Sequence, residues 1–106
     1  MIDLNELSKQ AYKIAKKREI NGAFIKTDIM SMLKHCSGEI VEATEAYCDY
    51  CKSINSGNLE NFENELADRI VCCLIISGYS MIDIEKALNR VMKKNRLRAE
   101  KIGDKL

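Results

Sequence analysis

No proline interrupts this chain anywhere in its 106 residues, and it holds only five glycines. Proline costs a helix interior about 3 kcal/mol and glycine about 1 kcal/mol. A sequence lacking the first and sparing with the second is free to run in long helices. No strand-like alternation of apolar and polar residues competes with that reading. The apolar periodicity divides the chain into four stretches. The first runs from Leu4 to about Arg18, with Asp3 as its cap and Leu4, Leu7, Ala11, Ile14 and Ala15 on one side. Asn21-Gly22 signals its end, and Gly22 to Lys26 forms the first loop.

The second stretch starts at Thr27 or Asp28 and reaches about Lys52, with Ile29, Leu33, Cys36, Ile40, Ala43 and Tyr47 as its stripe. Gly38 in its middle marks a close helix approach, a bend, or neither. Ser53 to Asn58 is built of turn-formers and reads as a loop. The third helix runs from about Leu59 to Ser77 through Phe62, Leu66, Ile70 and Cys73, and Gly78-Tyr79-Ser80 ends it. Its run Ile70-Val71-Cys72-Cys73-Leu74-Ile75-Ile76 is apolar nearly all round, a pattern suited to an oligomer interface as well as a core. The fourth, capped by Ser80 or Asp83, passes through Ile84, Leu88, Val91 and Met92 to about Arg98, and 99–106 reads as a frayed basic tail. The sequence therefore predicts a single all-α domain over residues 1–106, with four helices packed as a bundle.

Charge and cysteine usage narrow the class. The net charge of +1 gives no overall field for a nucleic acid polymer, and no apolar run approaches the length of a membrane span. The first residues lack the basic-then-apolar pattern of a secretory leader, so the five cysteines read as reduced thiols and the chain as cytoplasmic. The charge is unevenly spread. Residues 86–106 carry eight Lys or Arg against two acids, whereas residues 1–85 carry nine against fourteen. An acidic body beside a basic end suits a ligand that brings both a metal and phosphates, although basic residues near a helix C-terminus also complement the helix dipole.

Two acidic pairs share one spacing: Glu39-Ile40-Val41-Glu42 and Glu65-Leu66-Ala67-Asp68. A step of three residues places both carboxylates of a pair on one helix face, about 4.5 Å apart along the axis. Such pairs arise by chance on solvated helices, yet these two lie within strongly apolar ones. A hairpin turning near Asn55 brings the pairs to similar heights, because Glu42 is 13 residues before that turn and Glu65 is 10 after it. Facing each other, Glu39, Glu42, Glu65 and Asp68 would form an oxygen cage for a hard divalent cation.

Glu39-x-x-Glu42, a gap of about twenty residues, and Glu65-x-x-Asp68 before an apolar run together resemble the MazG-like family of all-α nucleoside triphosphate pyrophosphohydrolases. Lys94-Asn95-x-x-Arg98 followed by Gly103-x-Lys105 is similar to that family's basic C-terminal segment. The resemblance implies an oligomer, a homodimer or homotetramer, that binds Mg²⁺ (with Mn²⁺ as a substitute) through the four acids. It implies cleavage of a (d)NTP into (d)NMP and pyrophosphate. Glu39 or Glu42 would act on the attacking water, and Lys94, Asn95 and Arg98 would hold phosphate. The chain departs from the family at Gly38, where a second adjacent acid is common, at Val91 in place of Lys, and at Ala99 in place of Pro. These departures favour an alternative: a helical interaction or regulatory protein that keeps the fold and has little turnover.

Other constellations are weaker. Cys48-x-x-Cys51 with Cys72-Cys73 could be drawn as a zinc site, but adjacent residues on a helix point about 100° apart. His35 is the only histidine, so the paired Glu-x-x-His motifs of a di-iron bundle do not arise. Tyr47 and Phe24 are the candidates for stacking on a nucleobase.

Overall fold

The computed structural model describes residues 2–22 and 26–103, apart from the side chains of residues 39 and 102. Four helices make up nearly all of them: α1 (Leu4–Ile20), α2 (Ile29–Lys52), α3 (Ser56–Ser80) and α4 (Ile84–Gly103). Every start is capped by a short polar side chain that accepts an otherwise orphan amide. Asp3 accepts from Glu6, Asp28 from Ser31, Asn55 from Asn58 and Asp83 from Lys86.

Three boundaries differ from the sequence expectation. The second loop shrinks to residues 53–55, because Asn55 acts as a cap and Asn58 is already helical. The Asn58 side-chain amide donates back to the carbonyls of Asp49 and Ser53 at 3.3 and 2.7 Å, tying the turn shut. Gly78-Tyr79-Ser80 does not end α3; the helix stops at Met81, which takes a left-handed conformation with φ 54°. The expected frayed tail is helical through Gly103, and nothing from Pro or a turn signal stops it earlier.

The helices α2 and α3 form an antiparallel hairpin. Met32, Ala43 and Ala46 are buried on α2, and Cys72 and Leu74 on α3. At the turn end the Tyr47 and Phe62 rings meet with centroids 5.3 Å apart. At the other end Cys36 and Cys72 are joined by a disulfide, their Cα atoms 5.9 Å apart. This corrects the expectation of five reduced thiols; Cys48, Cys51 and Cys73 remain free and exposed. The expected stripes are also shifted. Leu33, Ile40, Leu66 and Ile70 are exposed, while Met32, Ala46 and Cys72 occupy the seam.

α1 packs on the second half of α3, and a glycine sets the distance. A Cβ at Gly78 would lie 2.5 Å from the Ser8 carbonyl oxygen and 2.7 Å from the Tyr12 Cβ. The buried Ser8 hydroxyl donates to the Leu74 carbonyl at 2.8 Å, locking the same contact. Gly38, by contrast, has nothing near its missing Cβ, so it marks no close approach. The α1–α2 connection is held by Glu19, whose carboxylate accepts the amide and the hydroxyl of buried Thr27, both at 2.6 Å. Those two bonds, the hydroxyl first, hold the Glu19 carboxyl below its ordinary value.

α4 is attached mainly to α1, by reciprocal capping. Asn5 Oδ1 accepts the amides of Ile84 and Glu85, and a Glu85 carboxylate oxygen accepts the Leu4 amide at 2.9 Å. Beyond this joint α4 shares no substantial packing with α2 or α3, and residues 88–101 are exposed throughout. Its apolar stripe is left open, with Leu88, Val91, Met92 and Leu97 from 42% to 56% accessible. The accessible surface of 8376 Å² and radius of gyration of 16.9 Å exceed the roughly 6,000 Å² and 13 Å of a compact monomer of this size. Among the described residues no helix is long and apolar enough to cross a membrane.

Replacing Gly78 with Ala should force α1 off α3 and destabilise the fold by about 1–3 kcal/mol, read from urea unfolding. Gly38→Ala, on an open helix face, should instead be neutral or stabilise by up to about 1 kcal/mol. Equal behaviour of the two variants would mean that Gly78 does not set the α1–α3 distance.

Candidate functional site

The hairpin brings three of the four expected acids into one electrostatic neighbourhood. Glu65 is on the α3 face turned toward α2, three residues after Phe62 and seven before Cys72. Glu42 approaches from α2, and Asp68 lies one turn along α3 on the same side. Glu42 and Asp68 are exposed, whereas Glu65 is half-buried and its Oε2 is shut off from solvent without a hydrogen-bond partner. Burial pushes the Glu65 carboxyl above its ordinary 4.5; the charges of Glu42 and Asp68 and a hydrogen bond with Glu42 act the same way. Glu39 is in α2 one turn before Glu42, and its side chain lies outside the described residues.

A carboxylate oxygen closed to solvent beside two acidic neighbours is relieved by a proton, such as one shared in the hydrogen bond with Glu42, or by a cation. Carboxylate oxygens are hard donors, of the kind that suits Mg²⁺, Mn²⁺ or Ca²⁺ rather than a thiophilic metal. Among the described residues no group of three or more acid, histidine or cysteine side chains is gathered closely enough to hold a metal ion. Glu42 and Asp68 are the acids brought nearest Glu65, and the side chain of Glu39, the expected fourth, lies outside the described residues.

Lys94, Asn95 and Arg98 are exposed on α4 and do not join the acids within one chain, since α4 is packed mainly on α1. Lys94 and Arg98 are one turn apart and line a shallow groove with Arg90, Lys93, Leu97 and Lys101. Lys105 and Phe24 lie outside the described residues. Tyr47 leans on Phe62 and its hydroxyl is held above the ordinary 10, first by a hydrogen bond with Cys51, so one side of the ring is already occupied. Sequence reasoning missed the Cys36–Cys72 bridge. Its available sign was that Cys36 lies on the apolar stripe of α2, opposite the doubled cysteine of α3.

The raised carboxyl fixes the sign of a pH effect. Below about 4.5 the folded and unfolded chains both hold the Glu65 proton, and its stabilising share is intact. As pH rises through the higher folded value, that share is lost, because the folded state must accept a charge it disfavours. Metal-free Glu65→Gln should therefore melt at a higher temperature than the parent at pH 8, with the difference closing below about pH 4.5. Thermal melts in EDTA across that range check this, and a lower melting temperature for the variant at pH 8 would contradict it. The chain matches no family model, no curated protein and no solved structure.

Proposed function

We propose that this protein is a Mg²⁺-dependent nucleoside triphosphate pyrophosphohydrolase, converting a (d)NTP and water into a (d)NMP and pyrophosphate. The observation that supports it best is Glu65: a carboxylate oxygen closed to solvent, without a donor, beside Glu42 and Asp68. The MazG-like spacing of the acidic pairs supplies the reaction class. Glu42, Glu65 and Asp68, with Glu39, would hold the cation, whose chemistry is to neutralise triphosphate charge and polarise the phosphorus–oxygen bond. Glu39 or Glu42 would take the proton of the water that attacks the α-phosphorus. Lys94 and Arg98 would bind the departing pyrophosphate through charge-assisted hydrogen bonds, and Asn95 a phosphate or sugar oxygen.

The active unit in this reading is a homodimer or homotetramer. The apolar stripe of α4 and the exposed Leu66, Ile70 and Val71 of α3 argue for it. The surface excess over a compact monomer is about 2,400 Å², within the range of obligate interfaces. A second copy would also be the means of bringing an α4 basic arm to an α2–α3 acid site. In the alternative reading, an interaction or regulatory protein, the same surface serves assembly without chemistry, and Gly38 and Val91 are the residues that favour it.

Incubation with a panel of NTPs and dNTPs and Mg²⁺, with products separated by anion exchange, should give monophosphate and pyrophosphate, abolished by EDTA. Glu42→Ala and Asp68→Ala should each lose activity by about 100-fold or more while keeping their helical circular dichroism. Light scattering should return two or four times the 12.1 kDa chain mass. An oligomer with no turnover on any nucleotide would favour the non-catalytic reading, and wild-type turnover in either variant would refute the acid cage.

A further inference from the structure

The acidic pairs lie between two fixed points of the α2–α3 seam. On α2 the order is Cys36, Glu39, Glu42, Tyr47; on α3 it is Phe62, Glu65, Asp68, Cys72. The Tyr47–Phe62 ring contact closes one end and the Cys36–Cys72 bond closes the other. The bond joins residues 36 apart in sequence, so the covalent ring contains all four acids and the hairpin turn. Between the two fixed points the buried α2 side chains are Ala43 and Ala46, which have little bulk to grip α3. At the acids themselves the charges repel. Opening the bond would leave like charges at the middle of the seam with one end unrestrained.

Access is asymmetric. Cys72 is 2% exposed, whereas Cys36 is half-buried, so a small thiol reaches the bridge from the Cys36 side. We infer that the Cys36–Cys72 disulfide is a reversible thiol latch on the acidic site, closed for cation binding when oxidised and opened by a small-molecule thiol. The inference rests on the cation-binding reading above. In the opening step the thiolate of the small thiol attacks the Cys36 sulfur, the S–S bond breaks, and Cys72 leaves as a thiolate that takes up a proton. A second small thiolate attacks the small-thiol sulfur of that mixed disulfide, forming the small disulfide and releasing Cys36 as a thiolate that takes up a proton. One protein disulfide and two small thiols become two protein thiols and one small disulfide, and oxidised small disulfide reverses the exchange.

The test uses a Cys48→Ser/Cys51→Ser/Cys73→Ser background, which leaves only the latch pair. Thiol titration under denaturing conditions should find no free thiol after oxidised glutathione and two after reduction; two in both states would overturn the latch. Mn²⁺ binding, followed by the electron paramagnetic resonance of free Mn²⁺, should be about fivefold or more tighter in the oxidised form, the lower end of ordinary coupling between sites. Cys36→Ser in the same background should bind like the reduced form and ignore the redox buffer. Equal Mn²⁺ affinity in both states would overturn the latch and leave the cation site standing. Absence of Mn²⁺ binding in both states would overturn the cation reading and the latch with it. A reduced form that loses its helical circular dichroism would also overturn it, because a latch leaves the fold intact.

Discussion

The antiparallel seam between α2 and α3 is the constraint on which the rest depends. Its turn is short because Asn55 and Asn58 convert loop-forming residues into cap and tie, so Tyr47 meets Phe62 directly across it. From that end the register of the two helices follows at 1.5 Å per residue. Glu42 then falls beside Glu65, and Cys36 beside Cys72. A ring contact, a covalent bond and two alanines make a narrow seam. Narrowness is what brings Glu42 of one helix close to Glu65 and Asp68 of the other.

The remaining architecture is lean. α1 braces α3 through one glycine and one buried serine hydroxyl, and α4 is hung from α1 by the exchange of caps between Asn5 and Glu85. Among the described residues no large side chain is wholly buried, while the apolar faces of α2, α3 and α4 stay open. A single chain in this shape keeps much of its hydrophobic driving force unused, since burial of apolar surface is the main favourable term in folding.

Much of this was legible in the sequence. The lack of proline gave long helices, Asp3 and Asp28 were visible caps, and the similar distances of the acids from the turn at Asn55 put Glu42, Glu65 and Asp68 together. What escaped depends on tertiary distance. Gly78 looks like a helix terminator in one dimension, but it is where α1 crosses. Met81 adopts φ 54° with no local residue to announce it. The stripe of α3 was read through Leu66 and Cys73 because they are apolar, whereas the structure turns Glu65 and Cys72 inward. Hydrophobic periodicity assumes that the inner face is the apolar one. A helix that presents a carboxylate to its neighbour breaks that assumption at the place where chemistry is expected.

Glu65 shows why the seam and the site cannot be treated apart. An apolar residue there would relieve the repulsion from Glu42 and Asp68 and leave no unpartnered oxygen. Retaining the acid costs stability at neutral pH, which a ligand favouring the folded state would return by mass action. The disulfide works in the same direction by different means. Closing a ring of this length restricts the unfolded chain by about 3–4 kcal/mol in the entropic account, which offsets the strain of keeping like charges together. A seam that was apolar throughout would need neither. Under the proposed function, the bridge and the half-buried carboxylate are two halves of one arrangement, in which the helices are held close so that the acids would be poised for a cation.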